Sequence, residues 1–173
     1  MLKPAQWASI IMWRITLDSY LLLKMIHILS AVIIAGTGTG IAFFMFMANR
    51  SKDIATIAIT ARHVVLADWI FTAPAVVVQL VSGVLLMMKL GYSFTSTWFF
   101  LVMILFIFVG VCWVPVVIIQ YRLLTISGAS LITGKLNPKF KKMMRLWTSL
   151  GVPAFTAILV IFWLMVFKPF PVI

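Results

Sequence analysis

The sequence predicts an all-α polytopic membrane protein, a bundle of four transmembrane helices with a short N-terminal interfacial segment. Three observations carry this prediction. Hydrophobic residues make up 64% of the 173-residue chain and charged residues only 10%, whereas soluble domains carry about 45–50% and about 25%. Four apolar segments each reach the roughly 20 residues that a helix needs to cross a bilayer. None of them alternates with a period of two, as a membrane β-strand would.

The four segments define the predicted spans, and polar or helix-breaking residues separate them. Arg50 to Asp53 separates the first two spans, Gly91 to Ser93 the next two, and Gly128 to Pro138 the last two. Glycine and proline in such places interrupt helices. We expect one membrane domain over residues 1–173, with spans at about 20–48, 64–88, 98–124 and 144–167. This composition excludes a soluble enzyme and a disordered tail.

The N-terminal segment does not resemble a secretory signal peptide. Pro4 and Arg14 interrupt its apolar stretch, and no small-residue cleavage site follows. Trp7 and Trp13 suit the depth of the lipid headgroups, where indole rings are enriched. We therefore expect residues 1–18 to form an interfacial helix on the membrane surface.

The charge balance indicates a membrane surface rather than nucleic acid as the partner. Fourteen basic residues face three acids, for a net charge of +11, and the basic residues lie mostly between the apolar segments. Such flanks bind anionic lipid. Nine of the fourteen basic residues fall on the side of the first and third loops and five fall on the other side. This bias predicts a bacterial inner-membrane protein with both termini in the periplasm. The single cysteine, Cys112, excludes an internal disulfide.

Lys24 and His27 are the first polar residues with a chemical interpretation. Their spacing of three places both on one face of the first helix, and His27 lies about 10 Å along that helix from Tyr20. This depth suits a haem ligand or a proton carrier. The alternative is a histidine that is bonded to a neighbouring helix or faces headgroups, and the residues alone leave both open.

A second haem ligand is not evident from the sequence. His63 begins the second span at the opposite end of the bundle, about 32 Å from the depth of His27. One iron cannot bridge that distance, so a bis-histidine haem within one chain is excluded. Methionines at the right depth remain available as axial ligands: Met87, Met88, Met103 and Met165.

A second polar cluster is expected near the first and third loops, and Asp68 is the only acid within a predicted span. An unpaired carboxylate there would be costly, so we expect it to pair with Arg122 or Arg62 and to lock the second helix to the third. The alternative is an arginine-lined pocket for a carboxylate, such as a haem propionate. The cluster comprises Arg62, His63, Asp68, Trp69, Gln120, Tyr121, Arg122 and Arg145.

The first span also contains Gly36 and Gly40 in a GxxxG pattern. Such small residues allow another helix to approach closely. We expect helix packing here, with room for a flat macrocycle as the alternative. The pattern is not a phosphate-binding loop, because no Lys-Ser or Lys-Thr follows it.

Several motifs resemble known membrane families. Lys24-Met25-Ile26-His27, followed by a glycine-bearing helix, is similar to the opening of HemJ-type protoporphyrinogen oxidases and of the copper-resistance CopD type. The segments Phe71 to Ala75 and Arg145 to Phe170 resemble further HemJ segments. A family of bacterial predicted integral membrane proteins of unknown function is more similar, through Leu22 to Gly40 and through Ala67-Asp68-Trp69-Ile70-Phe71-Thr72-Ala73-Pro74. This similarity covers nearly the whole chain.

The HemJ resemblance implies a four-helix fold and a b-type haem on His27. The leading hypothesis is accordingly a protein that binds haem b for electron transfer or a tetrapyrrole-related redox step. His27 would ligate the iron, and the remaining cofactor-binding residues would be Lys24, Arg62, Arg122 and Arg145. The alternative is a cofactor-free accessory or assembly subunit of a larger, respiratory-type membrane complex. A metal-handling protein of the copper-resistance type is a third hypothesis, and homo-oligomers remain open.

Overall fold

The computed structural model describes residues 4–171, with side chains described from residue 17 to residue 171. Five α-helices account for nearly all of this range, and no strand occurs within it. The helices are α1 (Pro4–Ser51), α2 (Ile54–Ala67), α3 (Ala73–Leu90), α4 (Thr97–Thr133) and α5 (Pro138–Phe167). A π-helical turn, Asp68–Thr72, joins α2 to α3 without a break in the chain direction.

Four of the described helical segments are long and apolar enough to cross a membrane: Leu17–Ser51, Ile54–Leu90, Thr97–Thr133 and Pro138–Phe167. The predicted all-α bundle of four transmembrane helices is therefore confirmed. Helix α4 has 37 residues and so spans about 55 Å, against a hydrocarbon core of about 30 Å. The spans are longer than predicted because the helices continue past the apolar stretch into the polar flanks.

Local chemistry explains where these helices begin and end. Asp53, Ser96 and Asn137 each cap a helix N-terminus with a side-chain oxygen, which satisfies a free backbone N–H. Gly91 and Gly134 end α3 and α4 with φ of 65° and 67°, a left-handed conformation that glycine adopts without strain. The predicted interfacial segment is helical from Pro4 and continuous with the first span, while Trp7 and Trp13 lie outside the described side chains.

The spans form two antiparallel hairpins. Helix α1 packs against α2 and α3, α4 packs against α5, and the contact between α2 and α4 joins the hairpins. One end of the bundle, called the Tyr92 end, carries a hydrogen bond from Lys89 to Ser19 and one of 2.8 Å from Lys168 Nζ to the Tyr92 hydroxyl. The opposite end, called the Asp53 end, carries the loops at 52–53 and 134–137.

Two apolar clusters hold the hairpins together, one at each end. At the Tyr92 end, Met87 of α3 packs with Trp98, Val102 and Leu164 of α4 and α5. The larger cluster at the Asp53 end draws on all four spans and consists of Ile41, Met45, Ala48, Ile57, Ala61, Val64, Val116, Ile119, Leu123, Phe140, Met144 and Trp147.

The π-helical turn was not predicted, and Pro74 explains its position. Proline lacks an N–H and its ring collides with the carbonyl four residues earlier, and a wider turn relieves that collision. The backbone N–H of Ala73 accordingly reaches back five residues to the Asp68 carbonyl. The turn leaves Asp68 and Thr72 both buried.

Candidate functional site

Four polar side chains form a cluster between α1 and α3 in the half of the bundle nearest the Tyr92 end. His27 and Ser30 stand one turn apart on α1, and Gln79 and Ser82 stand one turn apart on α3. Ser30 and Ser82 are buried, each 3% exposed, and His27 and Gln79 are half-buried. We call these residues the His27 cluster.

Every polar side-chain atom of the cluster has a hydrogen-bond partner. His27 Nδ1 lies 2.9 Å from Ser82 Oγ, and Ser82 Oγ in turn donates to the Val78 carbonyl at 2.6 Å. Since the single hydroxyl proton of Ser82 is used there, His27 Nδ1 must be the donor of the pair. The Gln79 amide Nε2 lies 3.0 Å from His27 Nε2 and donates to it. The arrangement therefore assigns a neutral His27 with its proton on Nδ1.

Ser30 completes the cluster and has two acceptors within reach. Its hydroxyl lies 2.5 Å from Gln79 Oε1 and 2.9 Å from the His27 backbone carbonyl. One proton serves one of them well at a time. When Ser30 donates to the carbonyl, Gln79 Oε1 is available to accept a hydrogen bond from another donor.

The backbone of α3 allows the imidazole ring to lie directly against it. A Cβ added to Gly83 would fall 3.2 Å from His27 Cε1, so any larger side chain would push the ring away. Among the glycines described, Gly36 and Gly40 differ in this respect, because nothing lies within 4 Å of a Cβ added to either.

The charged groups nearest the cluster are cations at the Tyr92 end. Lys24 is exposed and lies over the Tyr20 ring, 5.8 Å from its centroid. Lys89 and Lys168 bond to Ser19 and Tyr92. Among the described side chains, Asp18 is the acid on this half of the bundle, and it is exposed. The immediate partners of His27 are thus all neutral.

The structure does not bring the predicted cofactor-binding residues together. Arg62, Arg122 and Arg145 are exposed in the half nearest the Asp53 end. Arg62 lies about 30 Å along the second span from Ser82, the partner of His27. The propionates are substituents of the macrocycle that surrounds the iron. One haem therefore cannot place its iron at His27 and its propionates at these arginines.

The predicted pairing of Asp68 with Arg122 or Arg62 is wrong in the structure. Asp68 is 5% exposed, and its Oδ2 atom has no hydrogen-bond partner among the described residues. Both arginines are exposed, whereas Asp68 is buried. The link between the second and third spans at this depth is instead a 2.7 Å hydrogen bond from Trp69 Nε1 to the Tyr121 hydroxyl.

Gly36 and Gly40 do not pack against another helix of this chain. They line an open groove of about 610 Å³ between α1 and Phe162 of α5, together with Val32, Ala35, Thr39 and Phe43. No helix of the described chain therefore packs closely on these glycines, because the hairpins meet mainly through α2 and α4 and leave this face of α1 uncovered. Close packing by a helix from outside the chain stays a prediction.

Sequence reasoning missed the three partners of His27. Gln79 and Ser82 are the polar residues of an otherwise apolar stretch of the second span, at a spacing of three. That spacing places both on one helix face, and their distance from Lys89 matches the depth of His27. This signal would have suggested an interhelical cluster before any cofactor.

Comparison with known proteins gives a family but no characterised relative. The model of a family described as "Predicted integral membrane protein (DUF2269)" matches residues 21–169. No curated protein and no solved structure matches the chain, and the similarity to HemJ-type enzymes is not shown by these comparisons. The match spans all four transmembrane segments and the His27 cluster. The chain therefore belongs to the DUF2269 family of predicted integral membrane proteins.

Proposed function

We propose that this protein is a proton-responsive membrane protein in which His27 takes up and releases a proton at the contact between α1 and α3. The observation that carries the proposal is the second acceptor of Ser30, the His27 carbonyl at 2.9 Å. It allows the His27 cluster to hold the proton without losing a hydrogen bond. Histidine is the side chain whose charge changes most readily near neutral pH.

The two states of the cluster differ by one proton and one amide rotation. In the neutral state, the Gln79 amide N–H donates to His27 Nε2, and Ser30 donates to Gln79 Oε1. When Nε2 gains a proton, it becomes a donor and opposes the amide N–H. Rotation of the Gln79 amide by half a turn then presents Oε1 to Nε2–H and an N–H to Ser30 Oγ. Ser30 donates to the His27 carbonyl, and the bond from Nδ1–H to Ser82 is retained.

Nitrogen NMR of the histidine rings tests this proposal, because the chain has only two histidines. In a His63→Gln variant, uniformly ¹⁵N-labelled at histidine, all ring signals come from His27. We expect the proton on Nδ1 near neutral pH and a second, reversible protonation on acidification while the fold is intact. A ring that stays neutral until the protein unfolds would overturn the proposal.

Haem b ligation by His27, which the resemblance implies, does not fit the cluster as it stands. An axial ligand needs a free ring nitrogen, and both nitrogens of His27 already bond to α3. Gln79 would have to leave Nε2, and the ring would have to turn away from Gly83. A dithionite-reduced minus oxidised spectrum distinguishes the two functions. We expect a flat spectrum, whereas b-type bands that disappear in His27→Ala would favour electron transfer or a tetrapyrrole redox step.

An accessory or assembly subunit of a larger membrane complex is a second candidate, and the open groove on α1 favours it. A groove lined by Gly36 and Gly40 suits the close approach of a partner's transmembrane helix. A photoreactive residue at Val32 in the groove should crosslink to one defined membrane protein in native membranes. The same residue at exposed Val111 of α4 is the matched control, and equal crosslinking at both positions would contradict this candidate.

We also propose that the protein lies in a bacterial inner membrane with the Tyr92 end in the periplasm. The bias of Lys and Arg toward the loops at 52–53 and 134–137 supports this orientation. Alkaline phosphatase fused after Ile173 should be active, since that enzyme requires the periplasm. An inactive fusion that is stably produced would reverse the orientation.

A further inference from the structure

Asp68 is a titratable group that the proposed role of His27 does not use. Its side chain is 5% exposed, and its Oδ2 atom has no hydrogen-bond partner among the residues described. The midpoint of the second span, Ile54–Leu90, falls at Thr72, so Asp68 lies about 6 Å from that midpoint along the helix. Half of the hydrocarbon core is about 15 Å thick. Asp68 therefore carries a buried carboxyl group at a depth within the hydrocarbon core.

The second span itself offers this carboxyl group no counter-charge. The π-helical turn that begins at Asp68 packs against α1, α2 and α3. The titratable residues of α2 are Arg62 and His63, and both side chains are exposed. The titratable residue of α3 is Lys89, which lies about 31 Å farther along the span and bonds to Ser19.

Helix α1 brings no charge to this depth either. The hydrogen bond from Ser30 to Gln79 pairs α1 with α3 in opposite directions. The same register, continued by eleven residues along each helix, sets the π-helical turn beside the part of α1 around Ile41. Ile41 is buried in the apolar cluster at the Asp53 end, and residues 28–49 of α1 include no titratable side chain.

The charged residues of α4 and α5 at this end of the bundle are turned to the surface. Trp69, next to Asp68, bonds to the Tyr121 hydroxyl of α4, and both of these side chains are exposed. Arg122 of α4 and Arg145 of α5 are exposed as well. Among the described side chains, no cation therefore balances a charge on Asp68.

We propose that Asp68 is a proton-binding site and holds its proton at neutral pH. A carboxylate in an interior of low dielectric constant needs a counter-charge, and without one the group takes up a proton and becomes neutral. An ordered water beside Oδ2 would donate a hydrogen bond but would leave the charge in place, so it could not replace the proton.

The bundle then contains one proton-binding group in each half, His27 toward the Tyr92 end and Asp68 toward the Asp53 end. The two groups share no hydrogen-bond partner, since the bonds of His27 run to Ser82 and Gln79. The assignment of a proton to Asp68 therefore stands whether or not His27 changes its charge.

Infrared absorption of the carboxyl groups tests the proposal, because the chain has only three acidic side chains. A protonated carboxyl group has a carbonyl band that is separate from the bands of a carboxylate. The purified protein is measured in a maltoside detergent, which has no ester carbonyl, with and without ¹³C at the aspartate side-chain carboxyl. At neutral pH, we expect a protonated-carboxyl band that shifts on ¹³C labelling and disappears in Asp68→Asn.

The matched control is the double variant Asp18→Asn/Asp53→Asn, which removes the two exposed acids and leaves Asp68 as the last acidic side chain. This variant should keep the band, and it keeps the proposal testable should Asp68→Asn fail to fold. Two results would overturn the proposal. One is a folded wild-type protein that shows only carboxylate bands at neutral pH, as a bound cation at Asp68 would produce. The other is a protonated-carboxyl band that persists in Asp68→Asn or is missing from the double variant.

Discussion

Removing the partners of His27 one at a time and then together tests the hydrogen-bond assignment in the candidate site. Ser82→Ala removes the acceptor of Nδ1–H at 2.9 Å, and Gln79→Leu removes the donor to Nε2 at 3.0 Å. Interhelical hydrogen bonds in membranes contribute about 0.6 kcal/mol on average and about 1.7 kcal/mol at most. We expect each single variant to lose about 0.6 kcal/mol, because the cluster rearranges around either loss.

The rearrangement differs between the two variants. In Ser82→Ala, the ring moves its proton to Nε2, Gln79 rotates to accept it, and Ser30 donates to the His27 carbonyl at 2.9 Å. In Gln79→Leu, the bond from Nδ1–H to Ser82 survives, and Ser30 again uses that carbonyl. In the double variant, neither of these alternative hydrogen bonds to the ring can form. Its half-buried ring donor has no partner left in the cluster, which we expect to cost about 1 kcal/mol beyond the sum of the singles.

The assay is reversible unfolding in mixed micelles with increasing SDS mole fraction, combined into a double-mutant cycle. Thr39→Ala is the matched control, because Thr39 bonds only to the Ala35 carbonyl of its own helix, and it should change stability little. Independent sites add within about 0.3–0.5 kcal/mol. An additive double variant would refute the assignment, as would ring nitrogen shifts that do not move the proton from Nδ1 to Nε2 in Ser82→Ala.

Three further predictions follow from the structure. Gly83→Val should displace the His27 ring, because even a Cβ would lie 3.2 Å from its Cε1; overpacking of this kind costs about 1–3 kcal/mol, measured by the same unfolding assay. Trp98→Phe removes the 2.8 Å bond from Nε1 to the Leu164 carbonyl; that carbonyl keeps its bond from the Lys168 N–H, so we expect a loss of about 0.5–1 kcal/mol. Hydrogen bonds from Thr56 lower the pKa of the Asp53 carboxyl. The ionised carboxyl therefore stabilises α2 above its unfolded-state pKa of about 3.9, and this stabilisation is lost as the pH falls through its lower folded-state pKa. Unfolding midpoints measured between about pH 2 and 6 should show this loss.

Each of these predictions has a control in the same chain. Gly36→Val meets nothing within 4 Å and should leave the NMR signals of His27 in place. Trp163→Phe changes an exposed indole and should cost less than Trp98→Phe. Asp53→Asn keeps the helix cap, since asparagine caps as well as aspartate, but should remove the acid dependence. Equal behaviour of variant and control would contradict the corresponding prediction.

Much of the fold could be predicted from the sequence, because apolar length is a property of consecutive residues. The four spans follow from this property, and so do the breaks at Gly91 and at Asn137-Pro138. The span limits shifted by up to about ten residues, since polar flanks with helix-forming residues continue a helix beyond the bilayer. The π-helical turn could not be predicted, because proline permits either a kink or a wider turn and packing selects between them.

The candidate site was predictable only in part. The depth of His27 singled it out as a polar residue within the first span, and the structure places it, half-buried, in a cluster of polar side chains. Its partners depend on how far α3 is rotated about its own axis, which places Gln79 and Ser82 rather than a methionine opposite the ring. The same kind of rotation turns Arg122 outward and leaves Asp68 without the counter-ion that the sequence suggested.

The sequence by itself determined the class of this protein: hydrophobic residues dominate four long segments, and lipid must solvate what no soluble core of this size could bury. Only the tertiary structure decided which polar groups meet. A side chain in a packed helix faces one neighbour, and a rotation of one residue, about 100°, replaces that neighbour with another. For that reason, the hydrogen bonds of His27, the unpartnered Oδ2 atom of Asp68 and the uncovered glycines of α1 are visible only in the folded bundle.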